Sequence, residues 1–145
     1  MKEKELAVIF DKYLGIPYRH GGRDIHGLDC LGLVYLIYKD CGINIPDNDG
    51  RDYAKDWFKT EPDRYLKGIR SYGVEVPLDS LQPLDLVYFK MGPVVTHTGV
   101  MVDDNSFIHV LEGTTVHIST LDFKWRRRLV GARRFVEAGV ERKKE

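Results

Sequence analysis

Only two of the 145 residues are cysteine, too few for the disulfide framework of a small secreted scaffold, so each thiol is judged by its own surroundings. Neither charge sign is in excess. The 22 Lys and Arg are matched by 22 Asp and Glu, which removes the positive field that draws a protein to phosphate backbones or anionic lipid, and nucleic acid is not expected as a partner. Long hydrophobic runs are missing too: the longest nearly apolar stretch, residues 31–38, falls far short of the roughly 20 residues that span a bilayer. Near the N-terminus the apolar residues 6–10 run straight into Asp11 and Lys12, so the longer apolar segment of a secretory signal is not seen, and the expectation is a chain cytoplasmic as made. Repeats, low-complexity tracts and Pro/Ser-rich linkers are absent, which predicts one domain over residues 1–140 with a charged tail at 141–145. What is present, 43% hydrophobic and 11% aromatic residues, is enough for a single core and excludes intrinsic disorder.

The order of elements is legible from spacing. Leu6, Ile9, Phe10 and Tyr13 recur at helical intervals before Gly15, predicting an amphipathic helix over 3–14. Residues 18–29, YRHGGRDIHGLD, have three glycines and no period, and are expected to be irregular backbone. A second helix follows. Cys30, Val34, Ile37 and Cys41 mark one stripe, Asp29 is a good N-cap, Gly42 a good stop, and Pro46 prevents resumption. Between 51 and 69, Tyr53, Trp57, Phe58, Tyr65 and Leu66 lie among charges and are broken by Pro62, which predicts one or two short helices covering the core. From Leu84 onward, LDLVYFK, HTGVMVD, SFIHVLE, TTVHI and LVGARRFV read as short strands between turns. Helices first and strands afterwards predict an α+β fold, with N-terminal helices packed on an antiparallel sheet.

Cys30 falls at the start of a helix, where unpaired N–H groups and the helix dipole favour a thiolate. A nucleophilic thiol also needs a base. His97, opening the strand HTGVMV, is the candidate, pairing with Cys30 as thiolate and imidazolium, and His109 in SFIHVLE is the natural orienter of its ring. The Cys30 backbone N–H and the Tyr18 hydroxyl are the expected oxyanion donors. One difficulty is geometric: a turn at residues 104–106 sets His109 opposite Met101 and leaves His97 roughly 13 Å along its strand, so their contact requires a bulge or strong shear. The other residues take plain readings. Cys41 is core filler, about 16 Å from Cys30 along the helix and out of disulfide range. His20, His26 and His117 are surface or satisfied groups. No Cys-x-x-Cys or His-x-x-x-His pair pre-arranges a metal site, so no metal is expected. Arg126, Arg127, Arg128, Arg133 and Arg134 read as solvated strand faces that could also meet substrate carboxylates, and Tyr53, Trp57 and Tyr65 as cover for the core.

The runs GIPYRHGGRDIHGLDCLGLVYLIYKDCGINIP, LQPLDLVYFK and HTGVMVDDNSFIHVLEG, with the ending RRRLVGARRF, resemble the NlpC family of bacterial cell-wall cysteine endopeptidases, which have a papain-like fold. The likeness spans about residues 5–136 and weakens over 47–75. It implies a catalytic Cys30, His97 and His109 with Tyr18 at the oxyanion hole, no cofactor, and peptidoglycan stem peptides as substrate, cut between γ-D-glutamate and a diamino acid. It also implies that Asp29 meets the free amine of the stem. One position departs from the family: the serine that usually follows the nucleophile and lines the substrate subsite is Leu31 here, which makes that subsite more apolar. Bulky residues there resemble phage-borne members, implying action on the wall after release or within a phage particle. The alternatives are a non-enzymatic or weakly active phage-tail or assembly component, and an amidase or acyltransferase on the same fold.

Overall fold

A computed structural model describes residues 3–43, 45, 64–70 and 73–135. Helix α1, Glu3–Tyr13, buries Leu6, Phe10 and Tyr13, one stripe at helical spacing, and Gly15 follows it at φ 88°. Two very short strands, β1 Arg23–Asp24 and β2 Gly27–Leu28, then form a tight hairpin inside the segment expected to be irregular. Strands this short carry no hydrophobic period. Helix α2, Cys30–Asp40, starts at Asp29, buries Leu33, Val34, Ile37 and Tyr38, and ends at Cys41, with Gly42 at φ 80° beyond it. Of the helices expected over 51–69, the described part is α3, Arg64–Arg70; Tyr53 and Trp57 lie outside the described residues, as does the tail at 141–145.

The remaining strands are β3 Val74–Glu75, β4 Leu86–Met91, β5 Val94–Met101, β6 Ser106–His109, β7 His117–Thr120 and β8 Leu129–Arg134, with helix α4, Phe123–Arg128, before β8. They make one antiparallel sheet in the order β3-β8-β4-β5-β6-β7. Both faces of its centre are buried. Leu86, Tyr88, Val100 and Ile108 face a cluster shared with α1 and α2, whereas Val87, Phe89, Met101 and Phe107 face a second cluster that includes Leu121 and is flanked by Trp125 of α4. Two-sided burial explains why β4 reads as a continuous apolar run rather than an alternation.

The arginine runs differ from expectation. Arg126, Arg127 and Arg128 lie on a helix, not a strand, because the Asp122 carboxylate caps its first turn by accepting from the Trp125 N–H. Arg133 and Arg134 are on β8 but are engaged within the chain. Arg133 pairs with Glu75, and Arg134 grips the buried Asp85 with two hydrogen bonds of 2.8 and 2.9 Å.

The Gly-rich loop packs directly on the first turn of α2. A Cβ added at Gly32 would lie 2.1 Å from the Gly22 carbonyl oxygen, so only glycine allows the loop backbone this close. Gly32→Ala is expected to destabilise the fold by about 1–3 kcal/mol, the usual cost of overpacking. Urea unfolding measures this, and an unchanged midpoint contradicts the close approach.

Candidate active site

Asp29 organises the start of α2. One carboxylate oxygen, Oδ1, accepts from the Gly32 N–H at 2.8 Å and from Arg23 Nη1 at 2.9 Å, while Oδ2 accepts from the Gly21 N–H at 2.9 Å. The group is only 4% exposed. Helix cap, Gly-rich loop and guanidinium therefore meet on a single carboxylate, which fixes where the next residue begins the helix. That residue is Cys30, half-buried against the first cluster, and Leu31 beside it packs there too. The Cys30 thiol points at the Thr96 carbonyl, with Sγ 3.9 Å from the oxygen.

Tyr18 flanks the same helix start. It bridges to Leu28, and its N–H donates to the Thr114 carbonyl at 3.0 Å. Burial pushes its hydroxyl up to about 12, reinforced by the neighbouring acidic groups Asp29, Cys30 and Glu112, which would repel a phenolate. The phenol is consequently protonated at neutral pH and able to donate.

His97 and His109 form a buried pair, 3% and 0% exposed, with His97 Nε2 2.9 Å from His109 Nδ1. The chain continues outward, because His109 Nε2 lies 2.8 Å from the Ser119 hydroxyl. Aromatic rings enclose it: Phe89 and Trp125 are 5.7 and 5.6 Å from the His97 ring, and Phe107 is 4.2 Å from that of His109, centroid to centroid. His97 is in the middle of β5 rather than at its start.

The contact between the two histidines arises from register. Val100 pairs with Ile108 and Met101 with Phe107, which sets the turn at residues 103–105, one position before the expected 104–106. A turn moved by one residue moves the partner strand by two. His109 is thereby level with Gly99 instead of Met101, and His97 becomes its diagonal neighbour, within ring reach. Gly99 permits the approach, since a Cβ there would be 3.3 Å from that of His109 and 2.8 Å from the Phe107 ring. The bulge lies on the other edge of β5. Phe89 pairs with His97 and Lys90 with Val95, leaving Thr96 as the extra residue. Thr96 is thus both the bulge and the point where the Cys30 sulfur touches β5, one residue before His97.

Burial pulls His97 down to about 3, with a smaller contribution from the charge of His117; it pulls His109 down to about 2, with His97 and His117 adding to it. Both rings are neutral at neutral pH. The anticipated imidazolium at rest is therefore disfavoured, because burial strips a cation of its hydration. His117, read as a satisfied surface group, donates from Nδ1 to the Thr115 carbonyl, yet its ring is only 4.5 Å from that of His109. Ser119, Trp125, Thr96 and Arg23 were not singled out from the sequence. Alternation along HIST, two residues on from His117, was the one available signal for Ser119. Among the described residues no group of three or more His, Cys, Asp or Glu could hold a metal ion.

A histidine that is neutral when folded but titrates near 6.5 when unfolded makes the unfolded state bind more protons between pH 6.5 and the folded value, so stability falls on acidification. Each such ring removes about 1.4 kcal/mol per pH unit below 6.5. Thermal unfolding from pH 7 to 4 is expected to show a falling midpoint, with a shallower slope in His109→Asn. Equal slopes contradict the buried neutral pair.

The NlpC/P60 family model matches residues 15–134. The chain is 30% identical over 138 residues to the "Probable endopeptidase NlpC homolog" of Haemophilus influenzae, covering 94% of this chain and 64% of that protein. It is 28% identical over 131 residues to "Murein DD-endopeptidase MepS/Murein LD-carboxypeptidase" of Escherichia coli K12, covering 87% of this chain and 61% of that one. With the "Gamma-D-glutamyl-L-lysine dipeptidyl-peptidase" of Bacillus subtilis the identity is 32% over 113 residues, 75% of this chain and 32% of the relative. The chain thus spans less than two thirds of the length of these relatives. The crystal structure of an NlpC/P60 family protein from Bacillus cereus superposes with a TM-score of 0.72 at 28% identity, over 93% of this chain and 40% of that one. Fold and sequence agree that the papain-like α+β chain belongs to the NlpC/P60 family.

Proposed function

We propose that the chain is a cysteine peptidase acting on the peptide stems of peptidoglycan. The observation that carries this reading is the Cys30 thiol at the capped start of α2, touching β5 one residue from a histidine whose Nε2 is held by His109. With Nε2 engaged, Nδ1 is the His97 nitrogen that serves the thiol. His97 accepts the thiol proton as Cys30 attacks the scissile carbonyl, so the thiolate forms during attack rather than beforehand. The sulfur–carbon bond forms, and the carbonyl oxygen turns toward the Cys30 N–H and the Tyr18 hydroxyl. Collapse breaks the carbon–nitrogen bond, and the amine leaves with the proton from His97. Water, deprotonated by His97, then cleaves the thioester and the proton returns to sulfur.

Two roles implied by resemblance take a different weight beside the geometry. A stem amine at Asp29 competes with Arg23 and two backbone N–H groups, so we assign Asp29 chiefly to holding the helix start. Leu31 is committed to the first cluster, which supports a subsite lacking the usual hydroxyl. The names of the relatives divide between a DD bond and a γ-D-glutamyl bond. We favour the γ-D-glutamyl–diamino acid bond on the resemblance of the segment around Cys30.

Incubation with purified muropeptides, followed by mass analysis, tests the reading. Wild type is expected to release stem fragments, Cys30→Ala none, and Tyr18→Phe fragments at a kcat lower by on the order of 100-fold, as for loss of one oxyanion donor. Intact stems in every wild-type reaction overturn the peptidase reading and favour a binding or assembly role.

A further inference from the structure

We propose that Ser119 is a positioning residue that sets the tautomers of His109 and, through it, of His97; the consequence for catalysis rests on reading His97 as the base. Ser119 Oγ lies 2.8 Å from His109 Nε2, and His109 Nδ1 lies 2.9 Å from His97 Nε2. Each neutral imidazole has one N–H to give. Two proton arrangements satisfy the chain. In the outward one, His97 Nε2–H donates to His109 Nδ1, and His109 Nε2–H donates to the Ser119 oxygen. In the inward one, Ser119 donates to His109 Nε2, and His109 Nδ1–H donates to His97 Nε2. Only the outward arrangement leaves His97 Nδ1 unprotonated and able to take the thiol proton.

The surroundings give Ser119 this role. Phe107 and Trp125 pack on the His109 ring and neither presents a good acceptor. His117 meets the His109 ring by a tilted ring contact, 4.5 Å between centroids, whereas the Ser119 oxygen lies within hydrogen-bond distance of His109 Nε2. Ser119 pairs with Phe107 across β6 and β7, which aims its side chain at the same sheet face as His109, and it is itself half-buried. Its oxygen can accept from His109 while its own proton turns outward. Burial keeps both imidazoles neutral, so the question of which nitrogen holds the proton persists at working pH. Without the hydroxyl, the outward arrangement strands a buried N–H, whereas the inward one strands only a lone pair, the milder defect. Removing Ser119 therefore biases the pair toward the tautomer in which His97 cannot act as base.

Ring ¹⁵N shifts of His97 and His109 at pH 7, in the wild-type protein, Ser119→Ala and Ser119→Thr, read the tautomers directly. The wild type is expected to show Nε2–H on both rings, Ser119→Ala to convert His109 toward Nδ1–H, and Ser119→Thr to restore the wild-type pattern. His117→Gln serves as control and leaves both tautomers unchanged. On muropeptides, Ser119→Ala is expected to lower kcat on the order of 10- to 100-fold, up to the lower end of what a general base is worth because only part of the population holds the unproductive tautomer, with KM changed less than about twofold and recovery in Ser119→Thr. A wild-type His109 carrying Nδ1–H overturns the proposal, as do unchanged tautomers in Ser119→Ala or a kcat loss that threonine does not recover. A wild type with the expected tautomers and no turnover supports the tautomer assignment while rejecting the peptidase reading.

Discussion

One carboxylate holds the candidate site together. Asp29 caps α2, anchors the Gly-rich loop through the Gly21 N–H and neutralises its charge on Arg23. The sulfur that follows is placed by those bonds and not by its own contacts, of which the Thr96 carbonyl is a weak one at 3.9 Å. Removing the carboxylate would take this acceptor from two N–H groups and from a guanidinium at once, so loop and helix are expected to shift together. Gly22 and Gly32 are the steric counterpart, since the loop brings its Gly21 N–H to the Asp29 carboxylate only where no side chain intervenes.

The second constraint is a sheet with both faces buried. Cys30 packs against the first cluster, the His97 ring packs on Phe89 and Trp125, and Thr96, the extra residue of β5, brings the sulfur to the strand that carries the ring. Burial makes His97 a reluctant cation, which suits the role of base proposed for it, since such a base must release its proton to the leaving amine. The dry aromatic surround also strengthens any charge–dipole contact made when the ring does ionise, because little water is present to screen it.

Much of this was readable in the chain. Apolar spacing placed α1 and α2, Asp29 announced a cap, and the β-rich runs after Leu84 located β4 to β8 to within a few residues. Short elements escaped because β1, β2 and β3 have two residues each and no period to detect. The Arg126–Arg128 run read as a solvated strand face because a charge run carries no apolar period of its own, and only the Asp122 cap shows why it is helical. The pairing of His97 with His109 was anticipated, but not by its actual route. Whether a turn occupies 103–105 or 104–106 changes no residue's propensity, yet it decides which side chains meet. Ser119 stayed hidden for the same reason, since its partner is defined by strand alignment and not by composition.

Trp125 packs its indole against both imidazoles, 5.6 Å from His97 and 5.1 Å from His109. A protonated imidazole at that range withdraws electron density from an excited indole. The molecule thus contains an intrinsic optical probe of its buried proton inventory, set where the proposed reaction has charge appear and vanish.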